Sequence, residues 1–244
     1  PNVVRVLNFF RAHETVYMVM AYESGHSLQE HIARAAAKGN GLSENFVRQV
    51  FHGVCSGLRE VHANKLLHLD LKPANIYLRT DGTPILLDFG AARQTINSDA
   101  PALAPMYTPG FAAPELYSKA TSLGPWTDIY SIGAAIYACM AGAPPQPADG
   151  RRLEDKMAAQ FDKLEAARDH SPALIALARS CLALDPLARP HSVFALQKVL
   201  KEGAPAAPGA DGDDTGPAQA PATGWRGLVG RLGALGPGRA RRKD

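Results

Sequence analysis

Three side chains suited to handling phosphate and its counter-ion lie close together in the chain. Asp70 and Asn75 sit in His68-Leu69-Asp70-Leu71-Lys72-Pro73-Ala74-Asn75, and Asp88 opens Asp88-Phe89-Gly90. Phosphoryl transfer asks a protein mainly for positioning and charge neutralisation. Something must orient the attacking hydroxyl, and a carboxylate such as Asp70 fits. Something must also hold magnesium on the phosphates, and that ion prefers hard oxygens of the kind Asn75 and Asp88 carry. Two short runs, Asn75 to Leu78 and Pro84 to Leu87, flank the tight-turn pair Asp81-Gly82. A hairpin there brings Asn75 and Asp88 to the same end.

An isolated His-x-Asp or Asp-Phe-Gly is more often a turn or a surface carboxylate than a catalyst. Order and spacing change that weight, because Ala113-Pro114-Glu115 follows as a third piece. In sequence the three resemble the catalytic loop, the metal-binding turn and the activation-segment end of a protein kinase. The chain resembles the C-terminal lobe of a eukaryotic-type serine/threonine protein kinase, of the kind also found in bacteria. Lys72-Pro73 is similar to the serine/threonine rather than the tyrosine class. The resemblance implies that Asp70 accepts or orients the proton of a protein serine or threonine hydroxyl. It implies that Lys72 neutralises the transferred group, and that Asn75 and Asp88 are ligands of the Mg2+ that accompanies ATP. Thr108-Pro109-x-Phe111-x-Ala113-Pro114-Glu115 resembles the peptide-docking loop, with Thr108 hydrogen-bonded near Asp70 and Lys72.

The same resemblance implies a Glu115–Arg189 ion pair, with Arg189 in Leu184-Asp185-Pro186-x-x-Arg189-Pro190, and an Asp128 that holds the backbone of the catalytic loop. His68 is expected to be structural, packing on Phe89. On the nucleotide side, Met20 resembles the residue behind the adenine pocket, and Ala21, Tyr22 and Glu23 resemble the hinge. Tyr77 is placed on the adenine floor.

The pattern breaks in two places. The Gly-rich phosphate loop, the phosphate-anchoring lysine and its glutamate partner are not in this sequence, whose first lysine is Lys38. The chain opens on Pro1 without a Met. It therefore reads as a fragment that begins inside the N-lobe and is inactive by itself, the resemblance covering residues 1 to about 201. Leu69 stands where most regulated kinases have an arginine that pairs with a phosphorylated activation loop. Ala74 is a lesser departure, at a position acidic in some kinases directed to basic substrates.

The expected fold class is α+β, a protein-kinase-like fold with a mostly helical C-lobe and the last N-lobe strands and hinge. Residues 3–10 and 16–22 read as a hairpin, separated by polar Arg11 to Thr15. From Ser43, a candidate N-cap, apolar residues at Phe46, Val47, Val50, Phe51, Val54, Leu58 and Val61 mark one face of a long helix. Residues 91–112 read as loop, 128–141 as a helix buried on nearly all sides, and 151–167, 172–182 and 191–201 as shorter helices. The domain expectation is residues 1–24 as a remnant N-lobe and 25–202 as the C-lobe. A disordered linker, 203–224, and a basic tail, 225–244, complete it.

The linker is mostly Pro, Ala, Gly and Asp, which cannot bury enough surface to order itself. The tail puts Trp225, Leu228, Val229, Leu232 and Leu235 on one helical face among basic residues, although four glycines weaken that helix. Weak contact with an anionic membrane surface or a partner is one expectation for it, and a solvated tail the plain alternative. The net charge of +3 is concentrated there. A near-neutral remainder gives no reason to expect nucleic acid as a partner. Cys55, Cys139 and Cys181 are scattered, as buried thiols of a reducing compartment are, and a cytoplasmic location is expected. His13, His26, His31, His52, His62, His170 and His191 lack metal spacing and read as surface or helix residues. Two other functions fit less well. A pseudokinase scaffold need not keep Asp70, Lys72, Asn75 and Asp88 together, and a small-molecule phosphotransferase of similar fold lacks a docking loop like 108–115.

Overall fold

The computed structural model describes residues 2–88, 93–94, 107–118 and 121–202. The expected linker and tail, Phe89, Thr95 and Ser98 lie outside them. Contacts divide the chain into two units, Arg5–Tyr22 with Ala206–Asp244 in the smaller, and Pro1–Val4 with Glu23–Pro205 in the larger.

The described part of the smaller unit is an antiparallel hairpin of β1 (Val6–Ala12) and β2 (Thr15–Met20). Pairing continues to Ala12 and Thr15, so the turn is only His13 and Glu14, with φ of 48° and 59°. Such a turn is usually signalled by Asn-Gly. Without that signal, the sequence reading ends its first strand short, at Phe10. That strand also starts later than expected. Val3 forms a parallel bridge to Leu86, and the Val4 N–H donates to the Leu86 carbonyl at 3.0 Å, within the larger unit.

In the larger unit a three-stranded antiparallel sheet has the order β3 (Gly25–Ser27), β5 (Ile76–Arg79), β6 (Pro84–Leu86). The β5–β6 hairpin is the one expected around Asp81-Gly82. Strand β3 was not expected, because Gly-His-Ser has no apolar alternation. Gly25 permits it, since a Cβ there would fall 1.9 Å from the Leu78 carbonyl oxygen on β5. Ser27 then caps α1 (Leu28–Ala36), its hydroxyl accepting the Glu30 N–H.

Helix α2 (Glu44–Ala63) follows Ser43 as the sequence indicates, and it buries Val47, Val50, Phe51, Val54, Leu58 and Val61. Arg48 is buried on the same helix. Its guanidinium bonds Glu44, Ser171 and the carbonyls of Val199 and Leu200. Helix α3 (Pro125–Ala141) is buried over nearly its whole circumference and stops at Gly142, which is left-handed (φ 70°) and returns its N–H to Ala138.

The single helix expected over 151–167 is instead two, α4 (Ala148–Arg151) and α5 (Met157–Ala167). Asp155 causes the break. Its carboxylate takes the Met157 N–H at 2.9 Å and both ends of the Arg151 guanidinium, so the chain turns there rather than continuing the ladder. Helices α6 (Pro172–Cys181) and α7 (Val193–Glu202) pack against α3 and α2 respectively. Within the segment read as loop, Arg93–Gln94 forms a two-residue strand, β7, antiparallel to β4 (Leu66–Leu67). The three cysteines are free and buried, and burial pushes their thiols up, that of Cys181 to about 12. No helix among the described residues is long and apolar enough to cross a membrane.

Candidate active site

The loop between β4 and β5 carries the predicted chemistry. Leu69 within it has φ 64°, a left-handed conformation that costs an apolar L-residue roughly 1–3 kcal/mol. The loop is held in that shape by Asp128, fully buried near the start of α3. Asp128 Oδ2 accepts the His68 N–H at 3.0 Å, and Oδ1 accepts the Leu69 N–H at 2.8 Å. Burial alone would raise the Asp128 carboxyl. The bond from His62, the nearby His62 and His68 rings, and the His68 N–H outweigh burial, so it titrates below the usual carboxylate range.

His68 is fully buried, and burial holds its ring below the ordinary imidazole value, that is, neutral. Its bonding suits a neutral ring. Nε2 donates to the Leu87 carbonyl at 3.1 Å, and Nδ1 accepts the Asp70 N–H at 3.4 Å. His68 therefore connects the residue before Asp88 to Asp70.

Four of the predicted site residues converge. Lys72 Nζ donates to Asp70 Oδ2 at 2.8 Å and to Thr108 Oγ1 at 2.9 Å, while the Thr108 hydroxyl donates to Asp70 Oδ1 at 3.3 Å. Asn75 Nδ2 donates to the Asp70 carbonyl at 2.8 Å and to Asp70 Oδ2 at 3.1 Å. With its nitrogen committed to Asp70, Asn75 keeps its amide oxygen as the acceptor free for a cation. The Leu87 N–H donates to the Asn75 carbonyl at 2.9 Å, which sets Asp88 one residue beyond that contact. Asp88 is exposed and has φ 55°. The donor set, an amide oxygen and a carboxylate, fits a hard divalent ion.

The segment from Thr108 to Glu115 is equally tied down. The Thr108 carbonyl accepts the N–H groups of Phe111 and Ala112, and the Ser131 hydroxyl of α3 donates to the Phe111 carbonyl at 2.9 Å. Beyond it, Glu115 and Arg189 form the expected pair, two-pronged at 2.7 and 3.0 Å, with both side chains buried. The residues of the adenine side divide between the two units. Met20 ends β2, and the Ala21 N–H donates to the Arg5 carbonyl at 2.9 Å, both within the smaller unit. In the larger unit, Arg79 grips the Glu23 carboxylate at 2.6 and 2.7 Å, and the Tyr77 hydroxyl donates to the Gly25 carbonyl at 2.8 Å.

Sequence reasoning missed His62, which it left among surface or helix residues. The ring does belong to α2, but Nε2 donates to Asp128 Oδ2 at 2.8 Å. A signal existed: His62 lies four residues after Leu58 and eight after Val54, on the apolar stripe itself.

The family model described as "Protein kinase domain" matches residues 1–201. Among curated proteins, human Serine/threonine-protein kinase 16 is 31% identical over 227 residues, covering 86% of this chain and 74% of that protein. The mouse protein of that name is 30% identical over the same coverage. CBL-interacting serine/threonine-protein kinase 8 of Arabidopsis thaliana is 29% identical over 206 residues, or 83% of this chain and 43% of that protein.

Proposed function

The chain belongs to the protein kinase family, of the serine/threonine type, and from that premise we propose that it forms the catalytic C-lobe of an enzyme that transfers phosphate from ATP to serine and threonine hydroxyls of proteins. The observation that carries this reading is the joining of Asp70, Lys72 and Thr108 by bonds of 2.8–3.3 Å, because it ties the acid–base group to the segment where a peptide docks.

In this reading Asp70 orients the substrate hydroxyl and takes its proton. Thr108 holds the carboxylate's other oxygen, so its plane is set before substrate arrives. Lys72 is already anchored on both groups and places a positive charge where the transferred phosphoryl gathers negative charge. Asn75 and Asp88 hold magnesium, which when bound neutralises charge on the phosphates. Glu23 and Tyr77 line the nucleotide's base, with Tyr77 braced by its bond to Gly25; the assignment of Met20 and Ala21 to the base rests on the family resemblance. A cytoplasmic location, and membrane or partner contact through 225–244, are parts of the same proposal.

The test is Asp70→Asn in the full-length protein, assayed with Mg-ATP on a serine/threonine peptide library. The amide keeps the bonds to Lys72 and Asn75 but is not a base. The expected result is a loss of phosphoryl transfer of at least about 100-fold with an unchanged melting temperature. A variant that keeps its rate would remove Asp70 from the chemistry. Nucleotide binding without transfer by the unsubstituted protein would favour the scaffold reading.

A further inference from the structure

The chain enters the larger unit at Glu23, and the segment from there to α1 is laid along β5 by ties that the Asp70 cluster does not use. Gly25, His26 and Ser27 of β3 pair with Arg79, Leu78 and Tyr77. One further backbone bond, from the Thr80 N–H to the Ser24 carbonyl at 3.1 Å, lengthens that ladder. Side chains of β5 add to it. The Tyr77 hydroxyl donates to the Gly25 carbonyl at 2.8 Å. Arg79 carries the hold beyond Ser24, its Nε and Nη2 gripping the two oxygens of the Glu23 carboxylate at 2.7 and 2.6 Å. With the Arg79 side chain 32% exposed and that of Glu23 19%, a one-point ion pair would contribute little. This pair is two-pronged, and a planar fork fixes the orientation of its carboxylate as well as its distance. Glu23 is thereby fastened to the strand that leads directly out of Asn75.

We propose that Arg79 is a positioning residue for the nucleotide. By clamping the Glu23 carboxylate it sets the backbone at Glu23, the last residue of the segment resembling the hinge, before the base arrives. The proposal rests on the kinase reading of Ala21, Tyr22 and Glu23 as that segment. With its carboxylate taken up by the guanidinium, Glu23 offers the base its backbone. A segment already ordered spares the nucleotide the cost of ordering it, which raises affinity without a new contact. Among the described residues, the hydrogen bonds of the Arg79 side chain all go to Glu23, and none goes to Asp70, Lys72, Asn75 or Thr108. Its effect therefore belongs to nucleotide binding and not to the transfer step. Lysine in its place would keep the charge without the fork, and alanine would keep neither.

The experiment compares Arg79→Ala, Glu23→Ala and the double variant in the full-length protein. Binding of Mg-ATP is measured by calorimetry, and steady-state kinetics are run with Mg-ATP and a peptide. For Arg79→Ala the expected outcome is a Kd and a KM for ATP raised about three- to tenfold, with kcat and the peptide KM within about twofold of the original. Glu23→Ala should weaken ATP to a similar degree, and the double variant no further, because a clamp is lost only once. An unchanged ATP Kd in Arg79→Ala would overturn the proposal, and so would a loss expressed in kcat. Losses that add in the double variant would also overturn it, since Glu23 would then meet the nucleotide independently of Arg79. If Arg79→Ala does not fold, Arg79→Lys decides alone: weaker ATP binding by the folded protein supports the clamp, and an unchanged Kd refutes it. If the unsubstituted protein binds ATP without transferring phosphate, the enzymatic reading fails while the ATP Kd still tests the clamp. If it binds no ATP, the base-binding reading of Ala21, Tyr22 and Glu23 fails and the proposal falls with it.

Discussion

Replacing Glu115 by Ala isolates the contribution of the buried ion pair that closes the segment 108–115. Arg189 is 2% exposed, and Glu115 is 3% exposed. Besides its two bonds to Glu115, the guanidinium donates to the carbonyls of Trp126, Ala183 and Leu184 and stacks over the Tyr130 ring at 5.0 Å. Removing Glu115 leaves a cation with three neutral acceptors and no counter-charge. Breaking one side of a buried pair typically costs about 3–5 kcal/mol. In a domain of this size each kcal/mol moves the midpoint about 2–4 °C, so Glu115→Ala should melt about 6–20 °C lower. Arg189→Met should be worse, because it orphans three carbonyls as well as Glu115, whose remaining side-chain partner is the Thr127 hydroxyl at 2.9 Å. The assay is thermal and urea unfolding of both single variants and of the double variant, the first reading the melting midpoint and the second the free energies. Non-additivity of at least about 1 kcal/mol is expected, the double losing less than the sum of the singles. A midpoint shift below about 3 °C for Glu115→Ala, or strict additivity, would refute the reasoning.

Three other outcomes follow from the same geometry. His68 is held neutral by burial, so its folded value lies below the unfolded one of about 6.5. The unfolded chain then binds more protons, and stability must fall as pH drops below about 6.5, by up to about 1.4 kcal/mol per pH unit. Urea midpoints between neutral and mildly acid pH measure that slope, and His68→Phe should flatten it although half-buried His31 adds a share of the same sign. Gly25→Ala forces a methyl against the Leu78 carbonyl and should cost at least about 1–3 kcal/mol by urea unfolding, where an exposed Gly→Ala change would be near neutral. Phosphatase treatment of the full-length enzyme, followed by immediate assay on a peptide, should leave most activity, because Leu69 offers no cation to a phosphate on Thr95 or Ser98.

What could be read in the sequence was set by how each feature is encoded. Asp70, Lys72 and Asn75 were legible from a motif of short-range spacing on one loop, and Thr108 through the resemblance of 108–115 to a docking loop; the structure brings the four side chains within bonding distance. Glu115 and Arg189, 74 residues apart, were paired only through the family setting of each, since nothing in local periodicity links them. Features made by long-range capture were not legible. Arg48 looks like an exposed helical residue until carbonyls at the end of α7 accept its protons. Asp155 splits a helix that apolar periodicity alone would run straight through. The short strands β3 and β7 exist because a neighbour pairs with them, and two or three residues carry too little pattern to show it.

The same distinction explains how an apolar residue can stand beside Asp70. The left-handed turn at Leu69 costs roughly 1–3 kcal/mol. Burying its side chain, 7% exposed, returns about 1.5–3 kcal/mol. The N–H bond to the charged Asp128 adds about 1.5–3 kcal/mol. The strain is therefore offset inside the folded core, by α3 and the loop's own packing. An arginine here could share the turn but would gain from the interior only when an anion met it. With leucine, the force that shapes the loop is present whatever the state of the activation segment, and one part of it is the Asp128 carboxylate on which both N–H groups depend. Asp128→Asn keeps the shape and one acceptor while replacing the other by a donor aimed at an N–H group or at His62. It should therefore cost more activity than its small change in volume suggests, and a kcat within twofold of the original would show that packing alone holds the turn.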